Sequence, residues 1–197
     1  MLVGKRVTLS PVEREHLGLL KRWRNDPEIR GRYFPSLPAT DLGQEVWYDH
    51  MIKSGRDVFF LIRHTENARA GVAAPPVGYA AISEVDWRKR RAVASIILGE
   101  KKSWGKGLGP EVLSLLFAYA FCEMGLHKVC IYIYSDNERS IRLFKHFALV
   151  DGQLRSHEQR DGAWQDVTLM GLTEERYFAE VHGKPLPGVG GKRERRK

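Results

Sequence analysis

The run Ser103-Trp104-Gly105-Lys106-Gly107-Leu108-Gly109-Pro110-Glu111 sets three alternating glycines directly before residues 112–124, whose apolar positions recur at helical spacing. A turn with so few Cβ atoms lets consecutive backbone N–H groups converge, and the helix behind it adds the positive end of its dipole. The expected guest is therefore a phosphate or pyrophosphate. The run is not a P-loop, because Lys106 stands between glycines instead of before a hydroxyl residue that could hold magnesium. Nor is it a dinucleotide fingerprint, which belongs to the first strand of a β-α-β unit, whereas this run lies past mid-chain. The plainer alternative is a glycine-rich connection that only turns a strand into a helix.

Other chemistry-bearing residues are sparse. Cys122 falls within the helical run and Cys130 within the strand that follows; two cysteines cannot complete a tetrahedral metal site, and both read as small core residues. His16, His50, His64, His127, His146, His157 and His182 show no metal-ligand spacing, so no metal is expected. Trp23, Trp47, Trp87 and Trp164 read as core or groove aromatics. They lack the interleaving with basic residues that a single-strand nucleic-acid platform needs.

The elements that must position this loop can be read from periodicity and turn chemistry. Residues 6–9 alternate as a first strand, and 13–24 form a helix stopped near Asn25-Asp26-Pro27. A second helix begins near Thr40-Asp41. Strands follow at 58–63 and 77–85, separated by a loop over 65–76, and 91–98 makes the strand that feeds the glycines. Residues 128–134 form a buried strand, Asp136 or Asn137 caps a short helix through Phe147, and 149–160 with 164–173 make a hairpin over Asp161-Gly162. The fold class this predicts is α/β: a mixed, strongly twisted central sheet flanked by helices, with the anion-binding turn at a strand-to-helix junction, where open sheets place ligands.

Composition bounds the partners. A chain of 197 residues, 43% of them hydrophobic, buries one substantial core, so one domain over residues 1–180 is expected. The net charge of +8 suggests nucleic acid until it is located: +5 of it lies in 183–197, a basic tail expected to be disordered and able to make only weak, nonspecific contact with RNA or the ribosome. Arg88-Lys89-Arg90-Arg91 reads as an exposed hairpin turn or a positive rim near a phosphate. No apolar run reaches the length of a membrane span, and the N-terminus leads into a strand pattern, so a cytoplasmic location without membrane contact is expected.

Trp104-Gly105-Lys106-Gly107-Leu108-Gly109 followed by Asn137-Glu138-Arg139-Ser140-Ile141-Arg142-Leu143-Phe144 resembles the Gcn5-related N-acetyltransferase (GNAT) family. Trp23-Arg24-Asn25-Asp26, Gly152-Gln153-Leu154-Arg155 and the stretch from Gly162 to Met170 resemble the branch of ribosomal-protein N-terminal alanine and serine acetyltransferases. The resemblance implies the GNAT fold and acetyl-coenzyme A (acetyl-CoA) as cosubstrate. It places the pyrophosphate at Trp104, Gly105, Lys106, Gly107, Leu108 and Gly109 and the pantetheine against Asn137, with Ser140 one helical turn on, and counts Ile97, Leu98 and Phe144 among the cofactor-binding residues. It further implies that strands 92–98 and 128–134 splay apart around the thioester, which a primary amine attacks directly.

Phe144 stands where many relatives carry a proton-donating tyrosine, and Tyr132 where close relatives carry a glutamate, so the family's acid and base are both replaced. Glu84 is the first choice for base and Tyr134 for acid. Asp86, Glu100, Ser95, Tyr132 and Ser135 are further candidates. The acceptor implied first is a protein N-terminal α-amine. Small amines (polyamine, amino sugar or antibiotic), a noncatalytic CoA-binding or interaction domain, and nucleic-acid binding are the alternatives, and a homodimer is admissible.

Overall fold

The computed structural model describes residues 1–32, 37–65 and 74–183. The basic tail from Lys184 onward and most of the expected 65–76 loop lie outside the described residues. The strands are β1 (Leu2–Val3), β2 (Val7–Pro11), β3 (Val58–His64), β4 (Pro76–Asp86), β5 (Arg91–Leu98), β6 (Lys128–Tyr134), β7 (Leu149–Arg160) and β8 (Ala163–Thr173). They form one sheet in the order β1-β2-β3-β4-β5-β6-β8-β7, in which β5 and β6 pair in parallel and the other neighbours pair antiparallel.

The helices are α1 (Leu17–Asn25), α2 (Pro27–Arg30), α3 (Asp41–Ser54), α4 (Gly109–Ala118), α5 (Glu138–Phe144) and α6 (Glu174–Arg176). Side-chain alternation on β3 divides them between two layers. Phe60 and Ile62 face the cluster built on Val112, Leu113, Leu116 and Phe117 of α4. Leu61 faces Leu17, Leu20 and Trp23 of α1 and Tyr48 and Met51 of α3. Among the described residues no helix is long and apolar enough to cross a membrane.

Several element limits differ from the sequence reading. The helix after the glycines begins at Gly109 rather than 112, because Pro110 is accommodated in a first turn, where its missing N–H costs nothing. The short helix ends at Phe144 rather than Phe147: Phe147 N–H turns back to the Phe144 carbonyl at 2.9 Å. Asp26 accepts from Glu28 N–H and starts α2 where the sequence suggested only a stop. The β1 pairing and the C-terminal turns from Glu174 to Val181 were not anticipated; the latter are secured by Tyr177 stacking on Phe121 at 4.8 Å.

The register of β5 and β6 positions the site. They pair only at Arg91↔Lys128, Ala92↔Val129 and Val93↔Cys130. From Ala94 onward β5 stays paired to β4 but, among the described residues, has no strand on its other side, and β6 stays paired to β8 through Tyr134. The sheet therefore opens in its middle, with unpaired backbone on both lips of the gap.

Candidate active site

The glycine loop sits at the mouth of this gap. A tight turn returns Ser103 N–H to the Glu100 carbonyl and Trp104 N–H to the Lys101 carbonyl, after which Gly105 and Gly107 take φ of +74° and +69°. A Cβ on Gly105 would meet nothing within 4 Å, so it is the left-handed backbone and not crowding that requires glycine there. Gly109 answers a different need, since a Cβ on it would fall 2.8 Å from Leu143 Cδ2.

Among the described residues, the N–H groups of Gly105, Lys106, Gly107, Leu108 and Gly109 donate to no protein acceptor. They stand free ahead of α4, which is the arrangement that receives an anion. The loop is held from β2: Arg6 Nη2 donates to the Lys106 carbonyl at 2.5 Å, and Arg6 N–H donates to Oε1 of the buried Glu111 at 2.9 Å.

A cavity of about 360 Å³ extends from this loop along β5. Ile97, Leu98, Trp104, Gly105, Gly107, Leu108, Gly109, Asn137 and Ser140 all line it. Lys106 does not; it faces Arg6 through its carbonyl. Asn137 caps α5, its Oδ1 accepting from Ser140 N–H at 3.2 Å. Trp104 donates to the Leu98 carbonyl at 2.8 Å, and the guanidinium groups of Arg32 and Arg139 lie 5.4 and 5.7 Å from its ring.

A second cavity, about 570 Å³, meets the first at Arg32, Ile96, Ile97, Asn137 and Ser140. Phe144 lines this larger cavity, not the smaller one. So does Glu84, which lies in a bulge between Ser83 and Asp86 with φ of 54°, its N–H accepted by Asp57 Oδ1 at 2.9 Å. The bulge turns Glu84 out of the strand's alternation and into the cavity.

Tyr134 lines neither cavity: it is buried with the Arg160 guanidinium 4.6 Å above its ring. Burial pushes its hydroxyl above the usual tyrosine range, with Glu158 adding to the shift. Ser95 and Tyr132 line the larger cavity, whereas Asp86 accepts from Lys89 N–H, Glu100 accepts from Arg22 and Trp23, and Ser135 bonds Thr168.

Four residues of the larger cavity that carry a charge or an imidazole escaped the sequence reading as site residues: Arg24, Arg32, His157 and Glu158. Arg24 stood inside the quoted Trp-Arg-Asn-Asp run, and the last two on a strand read only as half of a hairpin. Arg160 ties that hairpin to the elements beside it. It pairs with Asp136, donates to Gln165 at 3.1 Å and reaches the Gly31 carbonyl at 3.2 Å. The Arg160 hydrogen bond holds the Asp136 carboxyl below the usual carboxylate range.

An open parallel pair, a helix N-terminus with free N–H groups and a second cavity meeting the first define a transferase that joins two substrates across a gap in its sheet. Residues 6–149 match the family described as acetyltransferase (GNAT) domain, and the chain belongs to that family. It is 25% identical over 183 residues to the uncharacterized N-acetyltransferase p20 of Bacillus licheniformis, covering 89% of this chain and 97% of that protein. It is 28% identical over 140 residues to the L-methionine sulfoximine/L-methionine sulfone acetyltransferase of Pseudomonas aeruginosa, covering 68% of this chain and 75% of that protein. The fold matches spermidine N-acetyltransferase from Vibrio cholerae in complex with CoA and spermine, with a TM-score of 0.81 and 20% identity over 89% of this chain and 99% of that one.

The protein is an acetyl-CoA-dependent N-acetyltransferase that acts on an amine. The free N–H groups of the loop fit a pyrophosphate, and the gap beyond Val93 and Cys130 fits an extended acyl arm. Among the described residues no group of three or more His, Cys, Asp or Glu is placed to hold a metal ion.

Proposed function

We propose that the acceptor is a small-molecule primary amine, bound in the larger cavity and acetylated there by direct attack on the thioester. The observation that carries this reading is the tie between the hairpin that lines the cavity and the helical side beside it. Arg160, on the hairpin that contributes His157 and Glu158 to the lining, bonds the Gly31 carbonyl on the helical side. A protein N-terminus needs a trench open along the chain's path, whereas a cavity whose hairpin is tied to the helical side at one end suits a compact acceptor. The Pseudomonas relative is named for methionine sulfoximine and methionine sulfone, and the Vibrio protein for spermidine, all small amines. The protein N-terminal amine that the ribosomal branch implied becomes the second reading.

Acetyl-CoA supplies an activated acyl group, and the chain's residues do the remainder. The loop N–H groups hold the pyrophosphate, Asn137 and Ser140 flank the arm, and Glu84 receives, through water, the proton that the attacking nitrogen releases. Tyr134 keeps its proton at neutral pH but stands behind the cavity wall, so the departing thiolate takes its proton from water. A thiol-release assay with mass-spectrometric product identification tests the reading. Small amines should be acetylated, and turnover confined to peptide N-termini would overturn it.

A further inference from the structure

Among the described residues four that carry a side chain take left-handed backbone, and they fall into two pairs. Arg90 and Asp161, both at φ of 51°, close the turns between neighbouring strands. Glu84 at 54° and Ser156 at 47° instead lie inside β4 and β7, each at a shift of register, where such backbone is strained. Glu84 and Val85 together stand opposite Ala92, and residues 155–157 together stand opposite Asp166. Each strained residue gives its N–H to an aspartate: Glu84 to Asp57 Oδ1 at 2.9 Å, Ser156 to Asp166 Oδ1 at 2.8 Å. The two bulges flank the open gap, one on the β5 side and one on the β6 side, and each strand brings a glutamate to the larger cavity, Glu84 and Glu158. Neither glutamate side chain has an ion-pair or hydrogen-bond partner among the described residues.

An acceptor amine arrives as an ammonium ion, so one group must attract the cation and another must take the proton that nitrogen gives up. Resting on the small-amine reading above and on Glu84 as its base, we propose that Asp57 and Asp166 are positioning residues for these two tasks. Asp57 sets Glu84 to take the proton, and Asp166 sets Glu158 to hold the ammonium. A charge-assisted bond to the N–H offsets left-handed strain that would otherwise relax toward extended backbone. Without the β7 bulge, Glu158 would slide two residues, about 7 Å, along β8. The β4 bulge has further supports that keep it attached when Asp57 is changed. Val85 N–H donates to the Arg56 carbonyl at 2.9 Å, Arg56 Nε donates to the Val85 carbonyl at 3.2 Å, and Trp87 Nε1 donates to the Gly55 carbonyl at 3.2 Å. On the other wall the Gln153 amide also donates to Asp166, at 3.0 Å.

The test is a pair of double-mutant cycles, read as initial rates of thiol release by the full chain at saturating acetyl-CoA. Methionine sulfone or spermidine, whichever turns over faster, serves as acceptor. Asp57→Ala should lower kcat about 10- to 100-fold, and Asp57→Asn, which keeps an oxygen for the Glu84 N–H, should recover most of it. In the Glu84→Gln background the same alanine should cause no further fall. Asp166→Ala should raise the acceptor KM about 3- to 10-fold with kcat kept, and should add nothing to Glu158→Gln. Calorimetric affinity for acetyl-CoA should match the parent's in every variant; its loss in an alanine variant marks a role in the fold and overturns that aspartate's half. An aspartate whose alanine variant equals the parent, or changes the rate by the same factor in both backgrounds, does not act through its glutamate, and its half fails. Glu84→Gln with the parent's kcat removes the base and the Asp57 half with it, leaving the small-amine acceptor standing. Turnover of peptide N-termini alone defeats the small-amine reading, and the same cycles run on such a peptide then decide for or against the aspartates.

Discussion

The two cavities that meet at the open sheet are built from different materials. The smaller offers main chain at its loop end: consecutive N–H groups presented by two left-handed glycines ahead of α4. The larger is lined by residues from α1, the segment after α2, α3, β3, β4, β5, β6, α5, β7 and β8, none of which supplies the acceptor's chemistry alone. A backbone site recognises what every member of a class shares, here a pyrophosphate. A site assembled from side chains on separate elements can change its acceptor without changing the fold.

The division breaks most visibly if the two sets of residues affect the same kinetic constant. Glu84→Gln removes the proposed base from the acceptor side and should lower kcat about 10²- to 10⁴-fold, with calorimetric affinity for acetyl-CoA unchanged. Loss of cosubstrate affinity in that variant would show that the regions are not separate. Gly107→Ala acts from the other side. An alanine held at φ of +69° costs about 1–2 kcal/mol, so the KM for acetyl-CoA should rise about 5- to 30-fold with the acceptor KM unmoved.

Two smaller effects sharpen the boundary. Asn137→Ala removes the α5 cap, which should cost about 1 kcal/mol and lower the melting temperature by about 2–4 °C. Because Asn137 lines both cavities, both Michaelis constants should rise. Asp136→Asn loosens the Arg160 tie and should raise only the acceptor KM, by less than about fivefold for a partly exposed pair. The native Asp136 carboxyl is held below its ordinary range, so its stabilising share is full above the unfolded value and is lost as pH falls through the folded one. Acid titration of stability should therefore be shallower in Asp136→Asn than in the parent protein, and identical acid limbs would remove the tie from the account.

The same division explains what could be read from the chain. Trp104 to Gly109 is contiguous, and its glycines report backbone conformation directly, so the loop, the strand before it and the helix after it are visible as one pattern. The limits of β5 and β6 agree with the hydrophobic runs, since each sits on covered sheet. Glu84 was legible only as a strand-end carboxylate. The bulge that turns it inward depends on register with β5 and on Asp57, which no local spacing reveals. Arg24, Arg32 and Glu158 were invisible as a group because the charges that face one another across the larger cavity are brought together by topology alone. Tyr134, promising by position on its strand, points instead beneath Arg160.

The measurement that bears most directly on the central claim is a two-substrate initial-rate matrix for the parent chain, Gly107→Ala and Glu84→Gln, with a small amine as acceptor and the product identified by mass. The expected result is an acetylated small amine, a change confined to the KM for acetyl-CoA in Gly107→Ala, and a change confined to kcat and the acceptor KM in Glu84→Gln. A parent enzyme that turns over only peptide N-termini, or a Gly107→Ala variant whose KM for acetyl-CoA equals the parent's, would contradict it.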